Sequence, residues 1–308
     1  MHTLCLNEEA LLPYYFRHYD AIIDQYYFYD NGSTDKSMEL IKENPKAVVQ
    51  SVEYAGPLKG ASVSQFVNNM WKISRGVADW VVMADVDEHL CIEDFKGYLA
   101  ECDALGITVI TAKGYQMVSE DFPETDGRLC DLLQNGIPSS HFSKAIIFNP
   151  NAVDEMLFTM GRHTAFPSGK VLYPSKREVK LLHYKYLGFD YTYNRNRYLA
   201  EQLYPMDKVN FLERYQWTPQ RVRAEFVHLL KHAMNVFTTE MYSPDANQPD
   251  EGGYIDFAKA LKDSLDLLTE FKQKSRTIQG KYQADMEVLI ARIEDLNNQV
   301  KHLKSQLP

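Results

Sequence analysis

Three carboxylates crowd the end of an apolar run at Trp80-Val81-Val82-Met83-Ala84-Asp85-Val86-Asp87-Glu88. Residues i and i+2 of an extended strand share a face, so the spacing predicts that Asp85 and Asp87 point together while Val86 turns inward. Two convergent carboxylates suit a hard divalent cation, Mn2+ or Mg2+, which prefers oxygen ligands and bridges to phosphate oxygens of a substrate. A D-x-D triplet alone equally describes a solvated acidic turn. What decides between the two is what the chain places beside it.

The elements upstream supply that context. Gln25-Tyr26-Tyr27-Phe28-Tyr29 reads as a strand, and it enters Asp30-Asn31-Gly32-Ser33-Thr34-Asp35, a run of turn formers. Ser33, Thr34 or Asp35 can cap the helix expected over 36–43. Leu4-Cys5-Leu6 leads into Asn7-Glu8-Glu9 and a helix that Pro13 helps to start. Further strands are expected at 48–52, 107–111, 143–148 and 180–184. Strands alternating with helices predict a mostly parallel α/β sheet. Such sheets bind ligands beyond the carboxyl ends of their strands, where Asn7, Asp30, Asp85 and Asp87 would gather.

In this order, Asn7-Glu8-Glu9, Asp30-Asn31-Gly32-Ser33-Thr34-Asp35, Gln65 with Asn69, and Asp85-Val86-Asp87-Glu88 resemble the motif set of family 2-like glycosyltransferases with the GT-A fold. The resemblance covers about residues 1 to 90. It extends more weakly over 142–188, through Ser143-Lys144-Ala145, Gly161-Arg162-His163 and Leu182-His183-Tyr184-Lys185. It implies that Asp30 reads the nucleobase of a nucleotide sugar, Asp85 its ribose, and Asp87 the metal on its diphosphate. Asn7, Glu8, Asn31, Gln65 and Asn69 would line the same nucleotide-sugar site, and His183 resembles the histidine that completes the metal site in many such enzymes. Lys144, Lys185, Arg195 and Arg197 are candidates for diphosphate contact. An inverting transfer also needs a general base near the acceptor hydroxyl. Asp121, Asp126, Glu155 and His163 are the candidates, and the sequence does not choose among them.

With 308 residues, 45% apolar and 24% charged, the chain is long enough for one large domain with an appendage. A net charge of −9 argues against nonspecific nucleic-acid binding, which needs a basic footprint. Cys5, Cys91, Cys102 and Cys130 show no C-x-x-C spacing and read as reduced structural thiols of a cytoplasmic protein. No stretch is long and apolar enough to span a bilayer, which leaves peripheral association with the inner face of a membrane as the route to a lipid-linked acceptor. His228 and His232 stand at i and i+4, a zinc-compatible spacing that lacks a third ligand and reads as packing or surface.

The 114–137 segment, rich in Gly, Pro and acids, reads as a long loop on the acceptor side. Thr218-Pro219 marks a helix start. A Pro- and Gly-rich linker is expected over 239–256, separating a GT-A domain at 1–238 from a C-terminal helix at 257–308. In that helix Met286, Leu289, Ile293, Leu296, Val300, Leu303 and Leu307 alternate four and three residues apart, the narrow seam expected of a coiled coil joining chains into a homo-oligomer; the alternative is an amphipathic helix folded back on its own domain, whose apolar stripe is usually wider. Lys272, Ser275, Gln279 and Gly280 weaken the seam before it.

The expectation is a metal-dependent glycosyltransferase passing sugar from a nucleoside-diphosphate donor to a glycan or lipid-linked glycan, by analogy in bacterial surface polysaccharide synthesis. One alternative is a sugar-phosphate nucleotidyltransferase, which would carry an N-terminal glycine-rich phosphate loop that Asn7-Glu8-Glu9 is not. The other is a silent scaffold acting through its coiled coil, against which intact Asp85 and Asp87 argue.

Overall fold

The computed structural model describes residues 1–52, 59–175, 179–202 and 217–238. The linker expected at 239–256 and the coiled-coil helix expected at 257–308 lie outside these residues.

Three short parallel strands open the chain: β1 (His2–Cys5), β2 (Tyr26–Asp30) and β3 (Ala47–Ser51) pair in the order β1-β2-β3. Helix α1 (Leu12–Tyr19), with Pro13 in its first turn, connects β1 to β2, and α2 (Ser37–Glu43) connects β2 to β3. Asp35 Oδ1 accepts the Ser37 N–H at 2.9 Å where α2 begins, so the turn residues do help to start it. The alternation in β2 sorts its rings between two layers. Tyr26 and Phe28 are fully buried and meet Tyr15 of α1 at centroid distances of 5.9 and 5.7 Å. Tyr29 meets Phe66 of α3 (Lys59–Met70) at 5.1 Å. Helices therefore cover both faces, and each ring so buried stabilises the fold by roughly 1.5–3 kcal/mol before entropy is counted.

The sheet beyond this layer departs from the mostly parallel expectation. Strands β4 (Val81–Val82), β5 (Glu88–Cys91), β6 (Val109–Ser119), β7 (Asn135–Pro138), β8 (Lys144–Phe148), β11 (Lys180–Leu187) and β12 (Met234–Asn235) form a mixed sheet. Its central pair, β6 and β11, is parallel, while β4 with β8, β8 with β6, β6 with β7, β5 with β11 and β7 with β12 are antiparallel. A parallel bridge from His2 to Met83 joins the two layers. A separate hairpin, β9 (Val153–Glu155) with β10 (Ser168–Gly169), follows β8.

The loop expected at 114–137 is shorter than that: strands take its two ends, and 120–128 remains irregular. β6 continues to Ser119, and β7 returns along it after the short helix α5 (Leu129–Leu132). Gly114 misleads because its role is close packing: a Cβ there would collide with the Phe142 carbonyl. Helix α4 (Phe95–Ala104) lies between β5 and β6, and α6 (Phe189–Gln202) follows β11. Helix α7 (Pro219–His232) starts as expected, with Thr218 Oγ1 accepting the Arg221 N–H at 3.4 Å.

Candidate functional site

The register Cys5↔Asp30 and the His2↔Met83 bridge put the chain segments after β1, β2 and Met83 at one sheet edge. Asn7, Asp30 and Asp85 follow from those three ends, as the carboxyl-end rule anticipates.

Asn7 holds two of these loops together. Its backbone takes a left-handed conformation (φ 53°), which asparagine tolerates better than most residues. Its Oδ1 accepts from the Thr34 N–H at 2.6 Å, its Nδ2 donates to the Tyr198 hydroxyl at 2.6 Å, and its N–H donates to Ser33 Oγ at 3.0 Å. The Asp30 carboxylate accepts from the backbone N–H groups of Gly32 (3.2 Å) and Ser33 (3.0 Å), so it braces its own turn. Asn31 donates its N–H to the Cys5 carbonyl at 2.9 Å.

Glu8 pairs with Arg195 of α6, and Arg195 also donates to the Asn7 carbonyl at 3.0 Å. Burial pushes the Glu8 carboxyl up to about 8; Arg195 opposes the shift, and the Asp87 and Asp85 charges add to it. Three acids thus face one another electrostatically, and Arg195, expected at the diphosphate, is engaged by the first of them.

The Asp85-Val86-Asp87 segment is a turn between β4 and β5, correcting the strand expected through it. The strand ends at Val82, Met83 makes one bridge, and the Glu88 N–H bonds the Asp85 carbonyl at 3.0 Å. Val86 is buried as expected, and the turn leaves the Asp85 and Asp87 side chains 37% and 28% exposed. Glu88 is no edge carboxylate. Only 1% exposed, it pairs with Lys144, has Arg162 Nη2 3.5 Å away, and accepts the Asp85 N–H at 3.1 Å. Burial alone would raise its carboxyl, but Lys144 and Arg162 outweigh that and hold it below the usual range. Lys144 is therefore bound beneath the turn instead of reaching out to a diphosphate.

Arg162 Nη2 reaches Asp85 Oδ2 at 2.7 Å. Its backbone is left-handed (φ 58°), directly after Gly161 (φ 69°), a pair of conformations that costs energy at an arginine. Asn68 of α3 steadies this segment, donating to the Phe158 carbonyl at 3.0 Å and accepting the Phe158 N–H at 2.7 Å. Sequence reasoning did not assign Arg162 to the site; its signal was the Gly161-Arg162-His163 motif, whose glycine marks the turn.

His183 comes to Asp87, with Nε2 3.3 Å from Oδ2. Gln116 Nε2 donates to the His183 and Met117 carbonyls, both at 3.0 Å, leaving Gln116 Oε1 to accept from His183 Nδ1 at 2.9 Å. With Nδ1 as donor, Nε2 faces the carboxylate, and Phe142 stacks on the ring at 4.1 Å. Burial would raise the Asp87 carboxyl, but the charge and hydrogen bond of His183, with Lys144 and Lys185 behind it, hold it well below the usual carboxylate range. The pair also suits a cation. Adjacent ligands of an octahedral Mg2+ or Mn2+ at about 2.1 Å stand about 3 Å apart, close to the separation here, and the Gln116 oxygen holds the second ring nitrogen as a carbonyl does for a ligand histidine.

The remaining candidates are spread more widely. Gln65 and Asn69 lie on the exposed side of α3, where Asn69 Nδ2 donates to the Gln65 carbonyl at 2.8 Å and Oδ1 accepts from Lys72 at 3.0 Å. Lys72 also pairs with Glu155, so this base candidate is tied to α3's end and the β9 hairpin. Asp126 is 95% exposed and pairs with Arg17; Asp121 is exposed too. His163 stacks on His141 at 3.7 Å and meets Phe142 edge-on at 5.8 Å, joining the wall that ends at His183. Burial pushes its imidazole down to about 4. Of the four base candidates, His163 is the one placed in that wall. His228 and His232 meet each other at 4.3 Å, in agreement with the packing or surface expectation.

No family model matches the sequence, and no curated protein matches it. Two solved structures that resemble the chain are crystal structures of S. aureus TarS and of S. aureus TarS 1-349. The first is 13% identical, with 73% of this chain and 42% of that chain covered at a TM-score of 0.32. The second is 12% identical, with 73% and 70% covered at a TM-score of 0.32. The chain thus spans under half the length of the first, and superpositions this loose carry no argument about chemistry.

Proposed function

We propose that the protein is a metal-dependent glycosyltransferase that moves a sugar from a nucleoside-diphosphate donor to a glycan or lipid-linked glycan acceptor. The carrying observation is the Asp87–His183 pair, set 3.3 Å apart beside the Asp85–Arg162 pair at the strand edge that also bears Asn7 and Asp30. Asp87 and His183 would hold Mn2+ or Mg2+, which when bound supplies positive charge against the departing diphosphate.

The chain's own residues do the rest. Asp30 and Asn7 shape the loop that receives the base, Asp85 faces the ribose, and Arg162 fixes the orientation of Asp85. Lys185, whose charge acts on Asp87, is the candidate for the leaving diphosphate. His163, neutral near pH 7, is our choice for the group that takes the acceptor proton in an inverting transfer. Among the described residues no helix is long and apolar enough to cross a membrane. A lipid-linked acceptor in bacterial surface polysaccharide synthesis would then be met by peripheral association on the cytoplasmic face, and the seam at 282–307 would join chains into an oligomer. A screen for hydrolysis of nucleotide sugars, with manganese and after chelation, tests the reading.

A further inference from the structure

Away from the carboxylate turn, three soft ligands converge from three elements. His18 comes from α1, Cys91 from the last position of β5 and Cys130 from α5, and their ligand atoms all lie within 4.8 Å of one another. Cys91 stands three residues beyond Glu88, about 10 Å along an extended strand, so the cluster is separate from Asp87 and His183. His18 and Cys130 are buried, and Cys91 is half-buried, which leaves a way in.

The orientation of His18 makes this a built site. Its Nε2 lies 2.8 Å from the Leu90 carbonyl, which can only accept, so Nε2 carries the proton and Nδ1 presents its lone pair. Nδ1 faces Cys130 Sγ at 3.7 Å. A tetrahedral zinc with bonds of about 2.3 Å to sulfur and about 2.0 Å to nitrogen holds such atoms about 3.5 Å apart. A histidine whose second nitrogen is tied to a backbone carbonyl is the usual arrangement in zinc sites. Cys130 Sγ also has Asp131 Oδ1 3.9 Å away, and Asp131 is itself fixed by Arg128 at 2.8 and 2.9 Å. The Arg128–Asp131 pair thus packs beside the Cys130 thiol without joining the three ligands.

We propose that His18, Cys91 and Cys130 bind a thiophilic divalent cation, zinc, that clasps α1, the end of β5 and α5 together. Two thiolates and an imidazole select zinc over the magnesium or manganese suited to the carboxylate turn. Because the ligands come from segments far apart in sequence, binding stabilises the folded chain. The inference does not depend on the glycosyltransferase reading.

The test uses the full chain, stripped of metal under reducing conditions and titrated with zinc, then cobalt, in excess magnesium so that the carboxylate turn is occupied. The expected result is one tightly held thiophilic ion per chain, a thiolate-to-cobalt charge-transfer band, and a higher melting temperature with zinc than without. Cys91→Ser should weaken zinc binding by roughly a hundredfold or more and reduce the charge-transfer band, since one of two thiolates is lost. Should that variant fail to fold, the cobalt spectrum of the wild-type chain decides alone. Absence of the band at saturating cobalt, or a Cys91–Cys130 disulfide in freshly isolated chain, overturns the proposal.

Discussion

Gln116 decides which nitrogen of His183 faces Asp87. Its amide nitrogen is committed to two backbone carbonyls, so its oxygen accepts the hydrogen bond of the His183 Nδ1–H, and Nε2 is left 3.3 Å from Asp87 Oδ2. The two residues sit on neighbouring parallel strands, with His183 in register opposite Gln116. The fold therefore sets the chemistry of the imidazole before any ligand arrives.

Replacing that support should be felt at the metal. Gln116→Leu should weaken manganese-dependent donor binding by about 10- to 100-fold, the usual effect of losing an outer partner of a ligand histidine. His183→Ala should weaken it at least as much with only a small change in melting temperature. Calorimetric titration of a nucleoside diphosphate with and without manganese separates the cases. A large stability loss in His183→Ala with unchanged affinity would assign His183 to packing.

Lys144 should prove structural. Lys144→Met leaves Glu88 charged and buried with the longer Arg162 contact and the Asp85 N–H, a change expected to cost about 3–5 kcal/mol in urea unfolding. Donor affinity of the folded variant should stay near wild type. Pairing it with Glu88→Gln should recover part of the loss.

Much of this frame is legible in the sequence, and the exceptions have physical causes. Period-two aromatics in β2, the turn formers after Asp30 and the prolines at 13 and 219 are local signals, and local signals fix elements. Whether Asp85 to Asp87 continues a strand depends on having a partner there, and the bonding of β8 to this segment stops at Met83. The burial of Glu88 depends on Lys144, 56 residues away, and that of Arg162 on a left-handed turn which a non-glycine residue does not announce. Asp87 and His183 are readable as residues, but their meeting is a fact of tertiary pairing.

Glu8 gives the site a pH signature. Its carboxyl rises from 4.5 to about 8 in the folded chain, so folding favours the protonated acid. That stabilisation is complete below about pH 4.5 and is lost as pH rises through about 8. Asp87 and Glu88, depressed in the folded chain, act oppositely and only at lower pH, where their contribution disappears on acidification. In chelator, the wild type should therefore lose melting temperature relative to Glu8→Gln between about pH 5 and about pH 8. Parallel melting curves for the two proteins would remove Glu8 from the account.

The apolar seam from Met286 to Leu307 has the spacing of a coiled coil, which a partner helix would cover. Light scattering should find an oligomer for the full chain and a monomer, still able to bind donor, after truncation at Gly280. A full chain that stays monomeric at micromolar concentration would leave the seam to some other contact.

The most direct test of the central claim is hydrolysis of a panel of nucleotide sugars by the wild type and by Asp87→Asn, with manganese and after exhaustive chelation. The account predicts that at least one donor is turned over by the wild type with manganese, and that chelation or the substitution reduces turnover to background while the fold survives. Wild-type turnover undiminished by chelation, or no binding of any nucleotide sugar, would contradict it.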